Sequence, residues 1–194
     1  MTIIVILASL MGPTLSSALR GTALTRASDQ VIGVLSLAHQ TAVSKAQTVE
    51  VRFYSYTNSE LPGDTGQGHA IQAFMVDDNG NSTPMMKAQV LPNSVIISKS
   101  TNFSTLMGKT NTGTPTMAIP RVGTTYTYSS FQYYRSGTTS LASDPLTTAG
   151  TVWGITVVNA TDMMGANSNS LPVNYATVVV DPYNGSLKTY RPHL

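Results

Sequence analysis

The sequence predicts an α+β fold in which a long N-terminal helix packs on a small antiparallel β-sheet head. Up to about residue 47, apolar residues recur mostly at spacings of three, four or seven, which is the pattern of a helix. After Thr48 the pattern changes to alternation, which indicates half-buried strands. The last two strand candidates are joined by a turn at 181–185, which indicates an antiparallel hairpin.

The chain opens with an apolar run, MTIIVILASLMG, that contains no charge. The run is too short to span a bilayer, since that takes about 20 apolar residues. Three interpretations are open at this point: a secretory signal peptide, a buried strand or core helix, or a membrane helix whose beginning is missing. A signal peptide requires a basic residue before the run, which is absent, and Ser16-Ser17-Ala18 is a mediocre cleavage site.

The residues after the run favour a single helix from about Thr2 to Gln47. The apolar side of this helix consists of Leu15, Leu19, Leu24, Val31, Leu35, Ala38 and Ala42. The opposite side carries Arg20, Arg26, Asp29, Gln30 and Lys45. Such a helix is apolar all round at its start and amphipathic afterwards, and it is roughly 65–70 Å long. We expect a kink or local melting at Gly12-Pro13. We expect the sheet to cover the helix through Leu24, Val31, Leu35 and Ala42.

The first strand follows directly. One side is formed by Val49, Val51 and Phe53, and the other by Glu50, Arg52 and Tyr54. Further strand candidates lie at 70–77, 89–98 with a break at Leu91-Pro92, 126–135, 151–158, 175–181 and 187–191. Ser, Thr, Gly and Asn dominate the segments 58–68, 100–123, 137–150 and 160–171, which are predicted loops.

Composition excludes several classes of function. Only 10% of residues are charged, against the roughly 25% typical of globular proteins. The net charge is +2, and the 11 Lys and Arg residues are spread singly along the chain. No basic run attracts nucleic acid or anionic lipid. Cysteine is absent, which removes disulfides, zinc–thiolate sites and thiol nucleophiles.

Candidate catalytic residues are few. His39, His69 and His193 are far apart in the sequence, and no nucleophile, zinc-protease or phosphate-loop motif is present. Asp77-Asp78-Asn79-Gly80-Asn81 offers oxygen ligands but lacks the later bidentate Glu of a calcium loop, so we interpret it as a turn. We therefore expect no enzyme activity, no metal and no cofactor.

The C-terminal hairpin is mildly basic. Lys188 and Arg191 are a possible weak DNA contact, but two charges without interleaved aromatic residues favour a solvated hairpin end. Nucleic acid is therefore not an expected partner.

The N-terminal residues Thr2 to Pro13 resemble the second half of the N-terminal segment of type IV pilins, which ends at a helix proline, here Pro13. The first half of that segment, with a basic leader, a Gly/Ala cleavage point and a mature start similar to Phe-Thr-Leu-Ile-Glu, does not appear in the sequence. We therefore interpret Met1 as an internal methionine or a truncated start, with the prepilin cleavage site upstream.

The head resembles the same family. Leu37 to Val43, followed by Val49-Glu50-Val51, is similar to the helix-to-strand junction of H-type minor pseudopilins of type II secretion systems. A further likeness is to the pilin-like family called Verru_Chthon cassette protein D. It is based on the segments 49–54, 60–63, 91–95, 131–137, 181–185 and 190–192, which keep their order and spacing over most of the chain.

This resemblance implies a structural subunit of a type IV pilus-like filament or a secretion pseudopilus. Residues 1–27 would form the membrane and filament-core half of the helix, and residues 28–194 the head. The apolar residues that occupy lipid before assembly and the filament core afterwards would be Ile3, Ile4, Val5, Ile6, Leu7, Leu10 and Met11, ending at Pro13.

The implied partners are other pilin-like subunits, the inner membrane and the assembly machinery. The implied location is the inner membrane, as a single-pass protein with a periplasmic head, or a periplasmic or extracellular filament. The alternative is an exported β-rich binding module, released by cleavage near Ala18, that recognises a glycan, a surface partner or, weakly, DNA.

Overall fold

The computed structural model describes residues 2–111, 117–120, 122–144, 152–164 and 170–192, with helix side chains from Leu19 onward. Helix α1 spans Thr2–Ser44 as one 43-residue helix, and its backbone is helical through Gly12 and Pro13. It ends three residues before the predicted Gln47. The kink expected at Pro13 stays a prediction.

The end of α1 is fixed by its hydrogen bonds. The Gln47 N–H donates to the Ala42 carbonyl at 3.1 Å, and the Ala46 N–H donates to the Val43 carbonyl at 3.3 Å. Ala46 has a positive φ of 50°. This pair of bonds around a left-handed residue is a Schellman motif, which usually places glycine where Ala46 stands. The chain is thereby turned directly into the first strand.

Ten strands form one sheet. They are β1 Thr48–Ser55, β2 Gly68–Val76, β3 Ser82–Pro84, β4 Gln89–Val90, β5 Val95–Ile97, β6 Thr110–Asn111, β7 Thr127–Tyr133, β8 Trp153–Asn159, β9 Tyr175–Val180 and β10 Leu187–Tyr190. The order is β10-β9-β8-β5-β2-β1-β7-β6, and β3 and β4 also pair with β2. Every pairing between these described strands is antiparallel. The predicted fold class is confirmed.

Two predicted loops contain structure that the sequence pattern did not indicate. Segment 160–171 begins with a short helix, α2 (Ala160–Met164), and segment 100–123 contains a 3-10 helix (Thr105–Gly108) and β6. Strand β3 was not predicted either. Tertiary contacts explain the two helices: Ala160 is buried, and its N–H donates to the Ser94 carbonyl, while Leu106 and Met107 are buried in the main core. The predicted strand residue Thr151 lies outside the described residues.

The main core lies between α1 and one face of the sheet. It includes Val49, Val51 and Phe53 from β1, as the alternation predicts, together with Trp153 and Ile155 from β8. Burying one such side chain stabilises the fold by about 1.5–3 kcal/mol. The predicted head is therefore held by packing, as a chain without cysteine requires.

Strand β1 is covered on both faces, not on one as predicted. On the face away from the main core, Tyr54, Phe74 and Tyr128 belong to a second cluster that includes Ile119 from a loop. The guanidinium of Arg52 lies 4.1 Å from the Phe74 ring centroid and 4.9 Å from that of Tyr128, and it donates to Glu50 at 2.6 Å. Glu50 and Arg52 lie on the same face of β1, as predicted, but aromatic rings cover that face in place of solvent.

Candidate functional site

The helix face that meets the sheet is formed by apolar side chains at helical spacing. The four side chains expected there, Leu24, Val31, Leu35 and Ala42, are all buried in the main core, as are Ala27, Val34 and Ala38. Packing against the head thus begins at Leu24, before the predicted boundary at residue 28. That boundary stays a prediction, as does any role of these residues in assembly.

Three polar contacts accompany this packing. Arg20 lies 3.8 Å from Asp162, the Gln30 amide donates to the Val90 carbonyl at 3.3 Å, and Arg191 donates to Asp29 at 3.3 Å. Exposed ion pairs of this kind contribute only about 0–1 kcal/mol each. They orient the helix on the head, while the apolar core supplies most of the cohesion.

The outward side of the helix carries the exposed charges of Arg20, Arg26 and Asp29, but its exposed positions from Gly33 to Ser44 carry none. Leu19, Leu37 and Val43 are exposed there, as are the uncharged residues Gly33, Ser36 and Gln40. An added Cβ at Gly33 meets no atom within 4 Å, so this stretch of the helix is open. A neighbouring helix can approach such a surface closely, because small residues leave the backbone accessible.

The predicted membrane and filament-core residues Ile3, Ile4, Val5, Ile6, Leu7, Leu10, Met11 and Pro13 all have helical backbone, but their side chains lie outside the described part of the structure. Within that part, no helical segment combines the length and apolar character needed to cross a membrane. The role of the first helical turns stays a prediction.

The possible DNA contact does not form a basic patch among the described residues. Lys188 is exposed on the edge strand β10, and Arg191 is bonded to Asp29 of the helix. His193 lies outside the described residues. Of the two predicted DNA-contact residues, Arg191 therefore already binds a carboxylate of the same chain.

His39 lies where the end of the helix meets two turns. Its ring packs 5.2 Å from that of Tyr133, and its Nε2 is buried without a hydrogen-bond partner in the described structure. A Cβ added at Gly185 would lie 2.9 Å from His39 Cδ2 and 2.8 Å from the Gly137 carbonyl oxygen. The His39 ring thus fills the space that two turn glycines leave open, which is a packing role.

The predicted turn at Asp77 is a hydrogen-bonded turn. Asp77 accepts from the N–H groups of Asn79 and Asn81 and from the Asn81 side chain. The Asn81 side chain, followed by these backbone donors, lowers the pKa of Asp77 below its usual value. Among the described residues, no cluster of His, Asp or Glu could hold a metal ion.

A polar cleft lies at the end of β1, β2 and β7, and the sequence did not indicate it. Its volume is about 740 Å³, and Tyr56, Asn58, His69 and Tyr126 are among the side chains that line it. A register shift between Tyr54 and Ser55 leaves His69 without a partner in the β1–β2 ladder, which opens the end of the sheet. The Gly-rich segment before His69 was the available sequence signal.

A buried hydrogen bond between a histidine and a carboxylate lies at the floor of this cleft. His69 Nε2 lies 2.8 Å from an Asp64 carboxylate oxygen, and Asp64 also accepts from the backbone N–H groups of Asn58, Gly66 and Gln67. Burial alone would raise the pKa of Asp64, but the N–H groups of Asn58 and Gln67 and the His69 side chain hold it below its usual value. Burial, followed by the Asp64 charge, raises the pKa of Tyr56.

Comparisons with known proteins yield one similar solved structure. No protein-family model and no curated protein matches the chain. The chain is similar to the minor pseudopilin EpsH from the Type 2 Secretion System of Vibrio cholerae, at 10% sequence identity and a TM-score of 0.48. The similarity covers 88% of this chain and 98% of that chain.

Proposed function

We propose that this protein is a structural subunit of a pilus-like filament or secretion pseudopilus, and that it assembles through the N-terminal half of α1. The observation that carries the proposal is a division within one helix. The head covers α1 from Leu24 to Ala42, whereas the sequence from Ile3 to Met11 is uncharged, is apolar except for Ser9, and belongs to the same 43-residue helix. The C-terminal part of the helix thus packs on the head, whereas its N-terminal part is suited to an apolar environment.

The physical argument concerns what covers the apolar half. At 1.5 Å per residue, α1 is about 65 Å long. An apolar helical segment that the head does not cover drives association with lipid or with other proteins. Membrane lipid before assembly and neighbouring helices afterwards both satisfy that requirement, and they suit a chain that has no cysteine for covalent cross-links.

The open side of the helix supports the same proposal. Leu37 and Val43 are exposed, and the exposed positions from Gly33 to Ser44 carry no charge. Helices that pack in a bundle need close approach and little charge at the contact. We infer an inner-membrane location with a periplasmic head for the free subunit, followed by incorporation into a filament.

Single cysteines test the proposal directly, because the natural chain has none. Leu7→Cys, introduced into the full chain in cells that assemble the filament, should give disulfide-linked dimers after mild oxidation. Val173→Cys, at an exposed head position, is the matched control and should stay monomeric. Equal cross-linking of the two variants, or none at Leu7→Cys in material that sediments as filaments, would contradict the proposal.

A further inference from the structure

The cleft at the end of β1, β2 and β7 has the size and the construction of a ligand site. Its volume of about 740 Å³ falls within the roughly 300–1,000 Å³ typical of small-molecule sites. It is bounded by the turn after β1, the start of β2 and the loop before β7, so three separate segments of the chain converge on it.

Two buried polar groups in this cleft have unused hydrogen-bonding capacity. Tyr56 is 8% exposed and His69 is 3% exposed, and both line the cleft. Neither the Tyr56 hydroxyl nor His69 Nδ1 has a hydrogen-bond partner among the described residues, and neither atom is sealed from solvent as the Tyr133 hydroxyl is. Both groups can therefore exchange hydrogen bonds with water for hydrogen bonds with a ligand that enters the cleft.

The hydrogen bond between His69 and Asp64 fixes the tautomer of the neutral His69 ring. Asp64 is held as a carboxylate by three backbone N–H donors, so His69 Nε2 carries the hydrogen that it donates to Asp64. In the neutral ring the other nitrogen, Nδ1, is then an acceptor. The cleft therefore presents one fixed acceptor beside a phenol that can donate or accept.

The remaining lining selects the chemistry of the ligand. The rim carries hydroxyl and amide groups, including Thr57, Asn58 and Thr125, beside the apolar surfaces of Pro120 and Val122. Apart from His69, the charged side chains among the described lining residues are Lys99 and Glu60, whose carboxylate accepts a hydrogen bond from Asn93, so the two charges balance. The lining therefore favours a neutral molecule, and one rich in hydroxyls finds donors, acceptors and apolar surface there.

We propose that this cleft binds a neutral oligosaccharide. One sugar hydroxyl donates to His69 Nδ1, a second bonds the Tyr56 hydroxyl, and the apolar edge of the ring lies against Val122. Sugar hydroxyls donate and accept at the same time, which matches a site that offers both kinds of partner. The proposal concerns the head alone and stands or falls independently of filament assembly.

Titration calorimetry with maltotriose, cellotriose and chitotriose tests the proposal. The full chain is held in a phosphocholine detergent, because detergents with sugar head groups would compete for the cleft. We expect saturable binding of at least one trisaccharide, and Tyr56→Phe should weaken it about three- to tenfold, as expected for the loss of one hydrogen bond. Tyr133→Phe removes an unpaired phenol hydroxyl outside the cleft and should leave the affinity unchanged.

A second variant guards against a folding defect at Tyr56. Thr125 is exposed on the rim, so Thr125→Trp should block the cleft while circular dichroism shows an intact head. No binding of any of the three sugars to the natural chain overturns the proposal. Binding that survives both Tyr56→Phe and Thr125→Trp overturns it as well, because the sugar then lies elsewhere.

Discussion

His69 and Asp64 form a 2.8 Å hydrogen bond between side chains that are only 4% and 0% exposed. The two residues belong to the segment that leads from β1 into β2, where the backbone N–H groups of Asn58, Gly66 and Gln67 also donate to Asp64. One carboxylate thus organises the whole turn. Its removal or protonation should loosen this end of the sheet.

The first prediction is an acid sensitivity that depends on Asp64. Its pKa in the folded protein is held below the ordinary value of about 3.9, so its stabilisation is present above that value and is lost as the pH falls through the folded pKa. Asp64→Asn should therefore be less stable than the natural chain at pH 7, and the difference should shrink below about pH 4. Urea unfolding midpoints across this range provide the measurement.

Asp78→Asn is the control for this experiment, since Asp78 lies exposed on the turn that follows β2, at the opposite end of that strand from Asp64. It should leave the midpoint at pH 7 almost unchanged. A difference between Asp64→Asn and the natural chain that stays constant down to pH 2.5 would show that the ionised carboxylate contributes nothing.

The second prediction compares two leucines that are two residues apart on α1. Leu35 is 0% exposed in the main core and Leu37 is 42% exposed on the outer side. Leu35→Ala should lower the free energy of unfolding by about 2–5 kcal/mol, because it removes buried atoms and leaves a cavity. Leu37→Ala should change it by no more than about 0.5 kcal/mol. Similar losses in denaturant unfolding would mean that the helix packs differently.

The third prediction concerns the end of α1. Ala46 has a φ of 50°, a conformation that costs a residue with a Cβ about 1–2 kcal/mol and costs glycine nothing. Ala46→Gly should therefore raise the free energy of unfolding by about 1 kcal/mol. Gln40→Gly introduces the same residue at an exposed position inside the helix and should lower it by about 0.5–1 kcal/mol. A loss of stability in both variants would contradict the Schellman geometry.

The fourth prediction uses two truncations of the N-terminus. A chain that begins at Arg20 keeps Leu24, Ala27 and the contact between Arg20 and Asp162, whereas a chain that begins at Ser28 loses all of them. We expect both to be soluble without detergent, because the apolar run is absent. The shorter chain should be less stable by roughly 2–3 kcal/mol, chiefly through the lost burial of Leu24. Equal thermal midpoints would show that the head begins at residue 28.

The sequence predicted those parts of the fold that depend on periodicity. Leu24, Val31, Leu35 and Ala42 follow the helical repeat, and Val49, Val51 and Phe53 follow the strand repeat, so these core residues could be read directly. It did not predict what depends on contacts between distant segments, such as the loop that covers the outer face of β1. The early end of α1 was missed because Ala46 occupies a position where glycine is the usual signal.

The cleft shows the same limit. His69 alone is an isolated histidine in a Gly-rich stretch, and no spacing rule connects it to Tyr56 or Thr125. The end of β1, the start of β2 and the loop before β7 bring these residues to one place only in the folded sheet. The partners of Asp64, including His69, all lie within six residues of it in the chain. The aspartate and the glycines of this turn were visible in the sequence, but they did not reveal that His69 contacts Asp64.

The fifth prediction tests the central claim, that the apolar start of α1 holds subunits together. Leu7→Asp would place a charge without a partner among apolar helices, at a cost of several kcal/mol, while the head, which packs from Leu24 onward, should stay folded. Val173→Asp introduces the same charge at an exposed head position and serves as the control.

The decisive measurement is the yield of sheared filaments from cells that express each variant, with circular dichroism of the purified chains as the check on folding. We predict that Leu7→Asp abolishes filaments and leaves the dichroism spectrum of the head unchanged, and that Val173→Asp assembles at the natural yield. Filaments at the natural yield from Leu7→Asp would contradict assembly through the N-terminal helix.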